Sequence, residues 1–163
     1  NKFELSSLDE NKIKVSSIIK FALRYLVTVH PAEGKTSLFT CWNGDKGALL
    51  QKDETALASY LTFCSKSIDL YFSTVRDTFK DAWNDPTSKL LSVTAINGFI
   101  IALNRQLDNN GIRDYNFYSS CLGKLNIDFS KNNFPYTSSQ YRKFSNQILS
   151  EAFNFSAEDL ANS

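Results

Sequence analysis

Between Pro86 and Asn109, apolar side chains fall on nearly every side of a helical wheel: Leu90, Leu91, Val93, Ile96, Phe99, Ile100, Ile101 and Leu103. A surface helix keeps a polar face for water, whereas one that is apolar all round has to be enclosed by the rest of the chain. Asn84-Asp85-Pro86 offers its start, with Asp85 as the cap and Pro86 in the first helical position. Asn110-Gly111 offers a left-handed stop. Within the span, Gly98 costs about 1 kcal/mol relative to alanine, and close approach by a neighbouring helix is the expected compensation. The span predicts a mainly α fold: an irregular bundle of about five helices around a buried central helix, with a small loop or hairpin insertion.

The other helices follow from spacing. Ile18, Ile19, Ala22, Tyr25, Leu26 and Val29 recur at helical intervals, so a helix is predicted from after Ser16 to about Val29, ended by His30-Pro31. From Asp53, an N-cap, to Trp83 there is neither proline nor glycine. Leu57, Leu61, Cys64, Ile68, Tyr71, Val75, Phe79 and Ala82 form one stripe along it. A helix of about 28 residues would be about 42 Å long, so this one either forms the backbone of the bundle or bends once. Tyr115, Tyr118 and Leu122 mark a shorter helix over Asp114–Leu122. Residues 123–136 read as a loop pinned by Leu125, Ile127 and Phe129. Thr137-Ser138-Ser139-Gln140 reads as a capping box opening a last helix whose Tyr141, Phe144, Ile148 and Ala152 share a face; Ser156-Ala157-Glu158-Asp159 repeats that signal. The glycine-containing stretch between Leu38 and Leu50 suits either a β-hairpin around Asn43-Gly44-Asp45 or a loop tethered by Phe39 and Trp42.

Composition narrows the functional classes. A chain of 163 residues with 42% hydrophobic and 21% charged residues suits one globular domain, and its 13 Phe and 7 Tyr favour a core of aromatic rings. A formal charge of +1 provides no global field to draw in nucleic acid or anionic lipid, so such binding would need a local patch. Cys41, Cys64 and Cys121 are scattered and odd in number, which suits a reducing cytoplasm better than a disulfide framework. No signal peptide or long apolar run points to export or a membrane. The chain starts at Asn1 and holds no methionine, so the reading is a single helical domain, 1–163, from a longer protein.

Catalytic and metal motifs fail on their own terms. Gly34-Lys35-Thr36 matches the end of a phosphate-binding loop, but Val29 stands where the loop's first glycine belongs and a helix precedes it rather than a strand. Asp108-Asn109-Asn110-Gly111 places its glycine too early for a calcium loop and lacks the closing glutamate. Any imidazole scheme has to use His30, the one histidine, which sits at a helix end beside proline. Cys64 lies on an apolar stripe and reads as core. Asp77 and Asp81 share a helix face, but Arg76 and Lys80 adjoin them, giving a solvated mixed-charge surface. No catalytic residue, metal ligand or cofactor is therefore assigned.

Two binding surfaces stay open. Lys20, Arg24, Arg105, Arg113, Arg142 and Lys143 stand at helix ends or on polar helix faces, where they are candidate phosphate contacts, with Tyr141 able to stack on a base. Trp42, beside the glycine turn, is the candidate anchor for a protein partner or a second copy of the chain, with core packing as its alternative use.

One stretch resembles a known family. Tyr71-Phe72, Phe79, Ala82-Trp83, Leu90-Leu91-Ser92, Ile96-Asn97-Gly98 and Ala102-Leu103 resemble the C-terminal helical part of DGQHR-domain, DndB-like proteins, and Ser37-Leu38-Phe39 with Trp42 fits more loosely. The resemblance spans residues 16–108 and rests mostly on core positions. It implies a cytoplasmic, non-catalytic helical module of a bacterial DNA-modification or defence-associated protein that contacts DNA. The family's Asp-Gly-Gln-His-Arg motif is absent, since Val29 and Pro31 flank His30, so no functional residue carries over. The reading from the residues alone keeps an alternative, a protein–protein interaction or assembly module.

Overall fold

A computed structural model describes residues 23–162, and among them it is helical with no strand. The helices are α1 (Arg24–Val27), α2 (Leu38–Cys41), α3 (Lys46–Leu50), α4 (Glu54–Thr78), α5 (Lys80–Asn84), α6 (Val93–Asn110), α7 (Tyr115–Leu122), α8 (Tyr141–Glu151) and α9 (Ala157–Ala161). Four helices of eight residues or more (α4, α6, α7 and α8) carry the core, and shorter pieces close it.

The enclosed helix is α6. Thr94 to Ile100 are buried without interruption, and Ala102, Leu103, Gln106 and Leu107 continue the burial. Its start differs from expectation. The helix begins at Val93, not Pro86, capped by the Ser92 hydroxyl, which accepts the Ala95 N–H. Residues 85–92 make other bonds. The Asp85 carboxylate accepts the N–H and hydroxyl of Thr87, the Ser88 hydroxyl donates to the Ala82 carbonyl, and the Lys89 N–H donates to the Phe129 carbonyl. A helix from Pro86 would have to give these up. Leu90 and Leu91 still enter the core, as turn residues. Gly111, at φ 61°, ends the helix as expected.

Helix α6 packs most extensively against α8, and Gly98 is the reason they can approach. A Cβ there would overlap the Phe144 ring and lie only 3.1 Å from its Cγ. Helix α6 also meets α4 through aromatic rings. Phe99, fully buried, lies 6.5 Å or less from the ring centroids of Tyr71, Phe72, Phe79, Phe129 and Phe144. The Tyr71 hydroxyl donates to the Phe99 carbonyl at 3.0 Å, which gives this buried oxygen its partner.

Helix α4 is capped by Asp53, whose carboxylate accepts the Ala56 N–H, and the long helical segment is broken once, at Phe79, which suits the second of its two expected alternatives. Its apolar stripe is rotated by one residue over the first turns. Ala56 and Tyr60 face inward, and Leu57 is left 43% exposed. The cause is Tyr60: its hydroxyl donates to the Val27 carbonyl at 2.6 Å while its ring meets Phe39 and Trp42. That bond, together with Ser37 donating to the Thr28 carbonyl, satisfies the C-terminal end of α1, so the chain leaves the helix at Thr28, before His30-Pro31. The predicted part of this helix before Leu23 lies outside the described residues.

Between Leu38 and Leu50 the hairpin alternative gives way to the short helices α2 and α3, with Asp45 capping α3. The helix expected over Asp114–Leu122 forms as α7 with Asp114 as its cap, but Tyr115 is exposed and only Tyr118, Cys121 and Leu122 are buried. The loop at 123–136 is pinned by Leu125 and Phe129, with Ile127 half-buried. At 137–140 only half the capping box forms: Gln140 accepts the Thr137 N–H, and α8 starts at Tyr141. The complete box is at Ser156–Asp159.

Candidate functional site

Among the described residues, Arg24, Arg105 and Arg113 are engaged by neighbouring groups. Arg105 reaches from α6 to the Asn146 side chain at 3.3 Å and the Asp159 carbonyl at 3.0 Å, and it lies over the Phe155 ring. Burial lowers its pKa. Its role is to fasten α9 to α6 and α8. Arg113 stacks on Phe117, 4.0 Å from the ring centroid, and Arg24 bonds the Tyr25 hydroxyl beside it. Arg142 and Lys143 are exposed in the first turn of α8, and Arg142 precedes Asn146 by four residues, so it lies one helical turn from Arg105's contact. Lys20 lies outside the described residues.

The other candidates resolve as structure. Trp42 is 5% exposed, with its ring against Tyr60, so the core-packing use applies and no open anchor is formed. Gly44 permits this, because a Cβ there would overlap the indole ring. His30 adopts a left-handed φ of 58° and tilts against Phe39. Cys64 is fully buried, and desolvation pushes its thiol to about 11; burial also raises Cys41 and Cys121, so none is held as a thiolate at neutral pH. Gly34-Lys35-Thr36 closes a turn, with the Lys35 N–H donating to the Ala32 carbonyl, and the Thr36 carbonyl accepts from the Asn104 amide. The Phe79 break separates Asp77 on α4 from Asp81 on α5. Hydrogen bonds from Tyr115 and Arg76 hold the Asp77 carboxyl below its ordinary range. The described residues contain no group of three His, Cys, Asp or Glu placed to hold a metal ion, and no helix among them is long and apolar enough to cross a membrane.

A concave surface lies at the same break. Turning at Phe79, the chain leaves an open groove of about 460 Å³ between residues 78–88 and the loop at 127–130. Phe79, Ala82, Ile127 and Phe129 supply its apolar lining, all of them part of or packed on the core. Three carboxylates, Asp81, Asp85 and Asp128, also line it, against one ammonium, Lys80. Asp128 accepts the Ser130 N–H and the Asn133 amide, and these bonds lower its pKa. Asp85 is held by Thr87. Two of the three carboxylates are therefore fixed in position by local turns. The volume is in the range of small-ligand and side-chain sites. What the groove offers is apolar contact with negative charge beside it.

Sequence reasoning missed this groove, since its lining comes from stretches far apart in the chain. The available signal was Asp81, Asp85 and Asp128 standing next to Ala82, Pro86, Ile127 and Phe129, at a predicted bend and in a predicted pinned loop. Comparison with known proteins adds no assignment: no family model matches the chain, and no curated protein or solved structure matches it significantly.

Proposed function

We propose that this chain is a non-catalytic helical module that recognises a protein partner. The observation carrying the reading is the contrast between its two kinds of charged surface. Of the basic candidates, Arg24, Arg105 and Arg113 are engaged by neighbouring side chains or backbone, while the concave surface is lined by more carboxylates than cations. Phosphate would be repelled at that groove. The resemblance to DGQHR-domain proteins supplies a setting, in which the module would serve a DNA-modification or defence protein by docking onto another component.

A second reading, direct DNA contact, is favoured by Arg142 and Lys143, both exposed at the start of α8, where the helix dipole adds positive potential. Anisotropy of a labelled duplex at low and high salt separates the two. The protein-recognition reading predicts weak binding that the double variant Arg142→Ala/Lys143→Ala leaves unchanged. Tight low-salt binding with a steep salt slope, lost in that variant, would overturn it.

A further inference from the structure

We propose that the groove at the α4–α5 break takes a short segment of a partner protein in which an apolar side chain is flanked by arginine or lysine. The inference deepens the protein-recognition reading and rests on it. Phe79, Ala82 and Ile127 are half-buried and present carbon to the groove, which only an apolar side chain would keep dry. A bare cation would leave that surface wet, and an acidic segment would meet Asp81, Asp85 and Asp128. Asp128 is already oriented by its own turn, so a guanidinium or ammonium finds there an acceptor that loses little freedom on binding. A carboxylate has about four lone-pair sites, so acceptor capacity remains at Asp128. Asp81 is exposed on α5 and forms no hydrogen bond or ion pair with the described residues, so it is available to a ligand.

The test uses the full chain and two short fluorescein-labelled peptides, one with leucines flanked by arginines and one with the arginines replaced by glutamates. The arginine peptide should bind and the glutamate peptide should not. Asp81→Lys should weaken binding about tenfold or more, as expected for loss of a charge-assisted hydrogen bond. Asp81→Asn should weaken it less, and Glu33→Lys, on a turn that does not line the groove, should leave it unchanged. Circular dichroism confirms that each variant is folded. Equal binding of both peptides, or full affinity in Asp81→Lys, would overturn the proposal. So would a dimer in sedimentation that Asp81→Lys dissolves, because the groove would then belong to a second copy. Binding by neither peptide would also overturn it while leaving the broader reading to the duplex experiment, which does not involve the groove.

Discussion

Gly98 is the residue on which the packing of this molecule turns. Its missing side chain lets the Phe144 ring lie against the backbone of α6, and Phe144 in turn meets Phe99 edge-on at 5.2 Å. Gly98→Ala raises helix propensity by about 1 kcal/mol, but it overpacks a site where such insertions cost about 1–3 kcal/mol, so a net loss is expected. Urea denaturation should show Gly98→Ala less stable than wild type, with Phe99→Ala lower still, by about 3–5 kcal/mol. The need for a close neighbour at Gly98 was legible from its position within an apolar helix, but the identity of that neighbour was not. Thiol reactivity is a second residue-scale prediction. Half-buried Cys41 should react with a thiol reagent first, and Cys64, fully buried with its thiol raised to about 11, only when the protein unfolds. Reaction of Cys64 at the rate of Cys41 would contradict its place in the core.

At the scale of elements, long periodic segments were readable and their ends were not. The cap Asp53 was legible because a short polar side chain before an apolar run leaves few alternatives. The start of α6 was not, because Asp85-Pro86 suits both a helix start and the turn that forms, and bonds to Ala82 and Phe129 decide between them. Likewise, the rotation of the α4 stripe depends on Tyr60 reaching Val27, a contact between distant positions that periodicity cannot show. Two predictions belong here. Arg105→Ala removes the bonds holding α9, so amide exchange over 157–161 should accelerate while global stability falls by about 1 kcal/mol. Asp69, on α4, has a carboxylate oxygen buried without a partner, and burial raises its pKa. A raised carboxyl pKa lowers stability as pH rises through the unfolded value to the folded one. Asp69→Asn should therefore exceed wild type in stability at neutral pH, with the difference closing in acid. Asp77, Asp128 and Asp159, all lowered by hydrogen bonds, act oppositely: the stability they contribute is present above the unfolded value and lost as pH falls through their folded values. A pH series of denaturation curves checks both signs.

At the scale of the whole molecule, one helix organises the rest. Enclosure of α6 was legible because an all-round apolar helix has no other stable place, and α4 and α8 supply its walls through Tyr71, Phe72 and Phe144. The groove was not legible, because it forms only when the α4–α5 break and the 127–130 loop meet. Both features depend on the same centre, since Phe79 and Phe129 line the groove while packing on Phe99. Native-state hydrogen exchange of the amides from Ile96 to Leu103 tests that centre most directly. The predicted result is exchange only through global unfolding, at the free energy found by denaturation. Exchange of these amides through a lower-energy local opening, with α4 still protected, would contradict it.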